Sequence, residues 1–285
     1  MLCFAKMNGA GNDFVVVDNR DGLLKLSAQQ IKLLCDRHRG VGADGVLLVE
    51  PASSEGDFRM RYYNSDGGEA EMCANGARCF ARFASRASGG RNELQFETLA
   101  GIIRAELRDE DVKLELSEPK DMVLNRTLEI EKRKFPVHSI NTGVPHIVAF
   151  IDDLEATPVR DWGAKIRYHE AFQPKGTNAN FVKQLEPGRI AVRTYERGVE
   201  DETLACGTGV AACGLIYGAL HGLESPVHVL VRGGDWLEVG FRKTTLGFKD
   251  VTLTGPADFV FEGTIHIDCG VAPRSGAARP FRTLF

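Results

Sequence analysis

The chain has 285 residues, 43 % of them hydrophobic, and a formal net charge of −4. That length fits one large domain or two ordinary ones, with ample apolar material for cores. The charge balance excludes a general nucleic-acid binder, which needs clustered basic charge to neutralise phosphates. No run reaches the ~18 consecutive apolar residues of a membrane span. The N-terminus, Met-Leu-Cys-Phe-Ala-Lys, shows no basic run with a long apolar core behind it, so a cytoplasmic protein is expected. Seven cysteines, an odd number, then read as thiols rather than as a disulfide framework.

In chain order, a strand, a Gly/Asn-rich loop and a second strand open the sequence. Ser27 with Gln30, followed by Ile31, Leu34 and Cys35, has the form of a capping box on an amphipathic helix. Strands are predicted at Gly45–Glu50 and Asp57–Tyr63. The segment Cys73–Phe83, rich in Ala, Arg and Phe, reads as a buried helix. Arg78, Arg82 and Arg86 recur on one side of it and are expected to form a solvated face. Alternating strands follow at Leu94–Glu97, Ile102–Leu107 and Val112–Leu116. A second helix is predicted at Gly207–Leu220, with small residues suited to tight packing inside a sheet.

The chain repeats itself. Cys73 and Cys206 stand 133 residues apart, as do Gly101 and Gly234. At that offset Met7–Ala10 meets Ile140–Gly143, and Phe14–Val17 meets Ile147–Phe150. Arg61–Asn64 meets Arg193–Glu196 at an offset of 132. We read two homologous halves, residues 1–120 and 121–285, joined within Ser117–Val137. The last ~20 residues either return to the first half or are flexible. The expected class is α+β, each half a curved mixed or antiparallel sheet around a central helix.

Gly40-Val-Gly-Ala-Asp-Gly45 fits a dinucleotide fingerprint as letters, but it follows a helix and precedes a strand, the reverse of the required order. Gly207-Thr-Gly-Val-Ala-Ala212 follows an acidic loop instead of an apolar strand. The Cys73/Cys79 and Cys206/Cys213 spacings are poor for structural zinc. Cys79 and Cys213 are expected to be small packing thiols.

Cys73 and Cys206 each sit just before a predicted helix. The first N–H groups of a helix point outward and carry partial positive charge, which acidifies a thiol and binds a carboxylate. Two such devices suit removal of an α-proton from one face of an amino acid and delivery of another to the opposite face, with the carboxylate held by preorganised donors. The residues alone leave other readings open: a duplicated pair of core cysteines, or a cysteine hydrolase in which His146 serves either thiol.

At these residues the chain resembles the diaminopimelate epimerases along almost its whole length. The matching segments are Lys6–Phe14, Asn64–Glu69, Cys73–Arg82, Gly143–His146, Thr177–Asn180, Tyr195–Gly198 and Ala205–Gly209. The resemblance implies an isomerase that interconverts LL- and meso-diaminopimelate in lysine and peptidoglycan precursor synthesis. It implies no pyridoxal phosphate, no metal, and a homodimer in the cytoplasm. Cys73 and Cys206 become the proton-transfer pair. Ala74-Asn75 and Gly207-Thr208 become the helix starts that grip the reacting carboxylate. Glu196 and His146 flank the reacting end, and Asn12, Asn64, Asn178 and Arg197 hold the distal end. Val144 stands where members often carry Asn, and Gly45 where some carry Gln. Those departures keep a sister racemase of the same fold, acting on another amino acid, as the alternative. The tail Cys269–Phe285 runs past the usual family ending, and Ser275–Ala278 in it reads as flexible.

Overall fold

The computed structural model describes residues 1–130 and 133–267. The tail singled out above, from Cys269 onward, lies outside the described residues. The described residues form two compact units: Met1–Val112 together with residues 257–267, and Lys113–Pro256.

In the first unit, β1 (Leu2–Gly9) and β2 (Asn12–Asp18) form an antiparallel hairpin. Its two loop residues, Ala10 and Gly11, both have positive φ, 55° and 97°. That is the backbone a right-twisted two-residue hairpin requires. Ser27 and Gln30 make the expected reciprocal capping box and start α1 (Ala28–Cys35). Its buried face, Ile31, Leu34 and Cys35, packs with Val15, Val17, Val46 and Leu48. β3 (Gly45–Pro51) runs parallel to β2, and β4 (Phe58–Asn64) antiparallel to β3. After the short β5 (Glu69–Ala70) comes α2 (Ala74–Ala87), buried over most of its circumference. β6 (Glu93–Thr98) then lies parallel to β4, and β7 (Gly101–Arg108) pairs back onto it. β8 (Asp111–Glu115) carries the chain across the division.

The arginines of α2 do not form the solvated face expected of them. Arg78 is fully buried and its Nη2 donates to Asn75 Oδ1 at 2.9 Å. Arg82 donates to the Glu110 carbonyl. Arg86 stacks over the Phe259 ring at 4.0 Å and pairs with Glu262. Phe259 and Glu262 belong to the last described strand, Asp258–Ile265, which pairs antiparallel with β1. That pairing places Asp258–Ile265 with the first unit, whereas the boundary at 120/121 groups this strand with the second half.

The second unit opens with β9 (Lys120–Ile130) and β10 (Arg133–Asn141), an antiparallel pair. The stretch Ser117–Val137, expected to be a joint, is therefore mostly strand. Only Leu128 and Ile130 of β9 are buried, so its apolar signal is thin. β11 (Pro145–Phe150) pairs with β10, and α3 (Val159–Arg167) leads to β12 (Asn178–Glu186), parallel to β11. β13 (Arg189–Glu196), the short β14 (Asp201–Thr203) and the buried α4 (Gly207–His221) follow. β15 (Val227–Val231) runs parallel to β13, and β16 (Trp236–Thr244) and β17 (Gly247–Pro256) complete the antiparallel run. Helix α4 packs closely because its glycines permit it: a Cβ on Gly214 or Gly218 would lie 2.8 Å from Val239 or Phe241.

Both units pair their strands in the same order and sense: hairpin, parallel neighbour, antiparallel neighbour, buried helix, parallel neighbour, antiparallel neighbour. The duplication is thus a property of the fold. One stretch of the alignment shifts. The first hairpin encloses four residues between the pair Asn8 and Asp13, the second only three between Asn141 and Pro145. Val15 and Val17 face one core with α1, as Ile147 and Ala149 face the other with α3. Phe14 therefore corresponds to His146, one residue earlier than the constant offset placed it.

Helix α3 rests on β13 through Gly163, where a Cβ would meet Tyr195 Cβ at 2.2 Å. Tyr195 Cβ, Cγ and Cδ2, which it would strike, are the base of the side chain and cannot rotate away. Gly163→Ala should therefore destabilise the protein by ~1–3 kcal/mol through overpacking, read as a lowered urea midpoint.

Candidate active site

In the first unit Cys73 is the N-cap of α2, in extended conformation (φ −131°, ψ 121°), half-buried, and its side chain makes no capping bond. The sulfur therefore does not serve the helix end, whose first-turn N–H groups no helix can satisfy internally. Asn75, two residues on, donates from Nδ2 to Asn12 Oδ1 at 2.6 Å. Asn12 in turn donates to Asp44 Oδ2 at 2.9 Å. Behind it Arg37 spans Asp13 and Asp44, and Lys6 pairs with Asp13 at 2.7 Å. Burial opposes ionisation of Asp13, but the hydrogen bonds from Arg37 and Lys6 outweigh it and hold the carboxyl at about 2. Asn12, Ala74, Asn75 and Cys73 are thus gathered at one helix start. Asn64 ends β4, exposed, opposite Gly45.

The second unit repeats the helix start with different neighbours. Cys206 is the N-cap of α4 (φ −113°, ψ 107°), buried, again with no side-chain capping bond. Its Sγ lies 3.6 Å from Thr208 Oγ1, and His146 Nε2 lies 3.0 Å from that same hydroxyl. Asn180 Nδ2 stands 3.2 Å from His146 Nδ1 and donates to the Ile147 carbonyl at 2.9 Å. Thr142 Oγ1 donates to the Thr208 carbonyl and braces the same turn. Burial, with Arg197 adding to it, pushes the His146 imidazole down to about 3, so the ring is neutral at working pH.

Glu196 closes β13 with its carboxyl raised above the ordinary range by burial, although Thr203 donates to Oε2 at 2.9 Å. Asn178 uses both ends of its amide: Nδ2 donates to the Pro145 carbonyl and Oδ1 accepts from Arg197 N at 2.8 Å. It positions Arg197, whose Nη1 is anchored on the Lys175 carbonyl. His146, Asn178, Glu196, Arg197, Cys206, Gly207 and Thr208 thus share the second unit.

Several contributors escaped the sequence reading. Asp44, Thr142 and Asn180 bond to the expected site residues without belonging to the expected set, and Arg37 holds Asp44 in turn. Asn180 had a signal, since it closes the quoted segment Thr177–Asn180. Cys79 and Cys213 are buried packing thiols as expected, Cys79 pushed up to about 12 and Cys213 well above its ordinary value by desolvation. The Gly40–Gly45 decoy has no free cradle: N–H groups of Gly40, Val41, Gly42, Ala43 and Asp44 all bond to chain carbonyls. Among the described residues no cluster of His, Cys, Asp and Glu is arranged to hold a metal ion, and no helix is long and apolar enough to cross a membrane.

The hydrolase alternative fails on His146. Its Nε2 faces the Thr208 hydroxyl and its Nδ1 the Asn180 amide, so both ring nitrogens are engaged by groups other than a thiol. Comparison with known proteins also points to isomerases. The sequence profile described as diaminopimelate epimerase matches twice, over residues 4–121 and 138–259. A diaminopimelate epimerase of Aquifex aeolicus is 45 % identical over 275 residues, 92 % of this chain and 97 % of that one. One from a Hydrogenobaculum species is 42 % identical over 94 % of this chain and 99 % of its own. Among solved structures, a phenazine biosynthesis protein of the PhzF family from Bacillus anthracis shares the fold, with a TM-score of 0.72 at 16 % identity over 93 % of this chain and 99 % of that one. Two profile matches, one in each half, and identities above 40 % across nearly the whole length show that the chain belongs to the diaminopimelate epimerase family.

Proposed function

We propose that this chain inverts one α-carbon of diaminopimelate between its LL and meso forms, with Cys73 and Cys206 as paired base and acid. The observation that carries the reading is the duplicated helix start: in each unit a cysteine N-caps the buried helix and leaves the capping to other groups. First-turn N–H groups beside each sulfur suit the reacting carboxylate. They also stabilise the charge that develops there as the α-proton leaves. One thiolate takes that proton and becomes a thiol. The other thiol delivers its proton to the opposite face and becomes a thiolate, so the reverse reaction starts from the exchanged state. No electron-sink cofactor enters this balance.

Glu196, its carboxyl raised above the ordinary range by burial, suits the α-amino group at the reacting end. Arg197 suits a bidentate grip on the distal carboxylate, with Asn12, Asn64 and Asn178 beside it in role. The product serves lysine and peptidoglycan precursor synthesis. A cytoplasmic homodimer accords with the family resemblance.

A sister racemase acting on another amino acid has its support in Val144 and Gly45. The environment of Gly45 weakens that support. A Cβ there would lie 2.6 Å from the Tyr62 ring and from the Tyr63 carbonyl. The ring of Tyr62 already occupies the space, so the glycine opens no room for a different substrate.

Three outcomes test this function. Cys73→Ala and Cys206→Ala should each abolish epimerisation with the fold intact by circular dichroism. In heavy water, LL-diaminopimelate should label the inverted product well before the recovered substrate; early, equal labelling of both would indicate a single base. Substrate choice is read by a panel of LL-diaminopimelate, proline, histidine and glutamate: turnover of diaminopimelate alone is expected, and faster turnover of another member would favour the sister racemase. His146 gives a pH prediction. Its folded value, about 3, lies below the ordinary 6.5, so the unfolded chain binds the extra proton first and stability is lost as pH falls from 6.5 toward 3. Between pH 6 and pH 4, His146→Asn should flatten the pH dependence of unfolding free energy by about 1.4 kcal/mol per pH unit.

A further inference from the structure

The two helix starts are alike in backbone and unlike in wiring. Counterparts follow from strand pairing. Gly45 pairs with Asn64 on β4, and on β12 and β13 Asn180 pairs with Thr194. With Asn64 and Glu196 closing equivalent strands, Leu47 corresponds to Asn180 and Tyr62 to Thr194. Phe14 corresponds to His146, and Asn75 to Thr208. The glycines behind the helices confirm the match. A Cβ on Gly76 would meet Phe14 and Leu47, and one on Gly209 would meet Asn180 Oδ1 at 2.5 Å. Where the first unit packs Phe14 edge-to-face on Tyr62 beside Leu47, the second carries a connected polar chain from Thr194 through Asn180 and His146 to Thr208.

The direction of that chain can be derived. A backbone carbonyl only accepts, so the Asn180 atom 2.9 Å from the Ile147 carbonyl is the amide nitrogen. Its Oδ1 then accepts from the Thr194 hydroxyl at 2.9 Å, which fixes the amide from its other end. The same Nδ2 faces His146 Nδ1 at 3.2 Å. Nδ1 must therefore be the acceptor nitrogen, and the neutral ring carries its hydrogen on Nε2. That hydrogen is donated to Thr208 Oγ1 at 3.0 Å. The Thr208 hydroxyl proton cannot point back at a protonated nitrogen, and Cys206 Sγ lies 3.6 Å away.

We infer that Asn180 is a positioning residue: it locks His146 in the Nε2–H form, and this turns the Thr208 hydroxyl onto the sulfur of Cys206, where it favours the thiolate. The first unit has Leu47 and Phe14 at the corresponding places and cannot carry this relay, so the two sulfurs are prepared by different means. The titratable groups that act on the relay are Arg197, which works with burial to keep His146 neutral, and Cys213, whose thiol interacts electrostatically with that of Cys206. The relevance to catalysis rests on the two-cysteine reading above, but the relay itself is read from the sulfur without turnover.

The test follows iodoacetamide alkylation of each cysteine against pH in the full-length protein, by peptide mass spectrometry. Asn180→Leu, which installs the first unit's residue, and Thr208→Val should slow Cys206 alkylation near neutral pH about tenfold and raise the midpoint of its profile by about one unit, with Cys73 changed less than about twofold. Thr208→Ser, which keeps the hydroxyl, should restore the parent profile. The 15N shifts of His146 in the parent should show an unprotonated Nδ1. Should Asn180→Leu fail to fold, Thr208→Val and the parent tautomer decide the matter alone. A Thr208→Val profile that superimposes on the parent's, or a His146 that carries its proton on Nδ1, overturns the inference. Retained epimerisation in both cysteine variants would instead overturn the two-cysteine reading and leave the thiol titration standing.

Discussion

Each unit buries a helix that enters the core at its N-terminus, and that burial sets the terms for everything near it. A helix cannot satisfy its own first N–H groups, and a buried N–H without a partner is costly. An ordinary protein meets this with Ser, Thr, Asp or Asn at the N-cap, as α1 does with Ser27. At α2 and α4 the N-cap is a cysteine whose side chain does not cap. Helix α3, with Pro158 at its N-cap, also lacks a side-chain cap, so what sets the two buried helices apart is the cysteine at the N-cap rather than the missing cap. The carboxylate site proposed above rests on that repeated cysteine, because a carboxylate is the ligand that helix starts suit best.

The rest of each unit holds that start in place. In the first, the buried Arg78 bonds Asn75, Asn75 bonds Asn12, and Asn12 leads to the Asp44, Arg37 and Asp13 cluster. The β1–β2 hairpin brings Asn12 there, and its close approach to the helix depends on Gly9, where a Cβ would lie 2.7 Å from the Asn75 carbonyl. In the second, Thr142, His146 and Asn180 perform the bracing from the β10–β11 turn, β11 and β12. One backbone plan therefore supports two different sets of side chains.

Much of the fold was legible because its signals are local. The capping box at Ser27, the continuous apolar run of β3, the alternation in β6, β7 and β8, and the small-residue run of α4 each report on their own element. The duplication was legible because cysteines and glycines held a near-constant spacing. Three features were not. The solvated face assigned to Arg78, Arg82 and Arg86 depends on what covers α2, and the cover includes residues from Phe259 to Glu262, far away in sequence. β9 hid because an edge-like strand with two buried residues leaves little periodicity. The offset across Phe14 and His146 slipped by one because a turn lost a residue, and apolar letters on both sides matched equally well in either register. Strand parity decides such cases, and parity is visible only once the strands are paired. Within the site, the cysteines, His146, Thr208 and Asn178 were identified from the residues or the family resemblance. Asn180 was missed as a participant because an asparagine inside a strand acquires meaning only from the ring and carbonyl it faces.

The asymmetry of the two units follows from the chemistry proposed for them. Inversion at carbon presents two faces that are nearly mirror images, and a duplicated fold is an economical source of two nearly equivalent acid–base groups. Diaminopimelate itself is not symmetric about the reacting carbon, because one end is inverted and the other must be held. Binding groups for the held end and for the α-amino group therefore cannot be duplicated without conflict. The chain places Glu196 and Arg197 in the second unit and gives the first unit Asn64 and Gly45 at the places corresponding to Glu196 and Asn178. Once those positions diverged, the electrostatic surroundings of the two sulfurs diverged with them, since Arg197 acts on His146 and His146 bonds Thr208. A neutral ring locked by Asn180 fits that constraint. It transmits a hydrogen bond toward Cys206 without adding a charge beside a group that must alternate between thiol and thiolate.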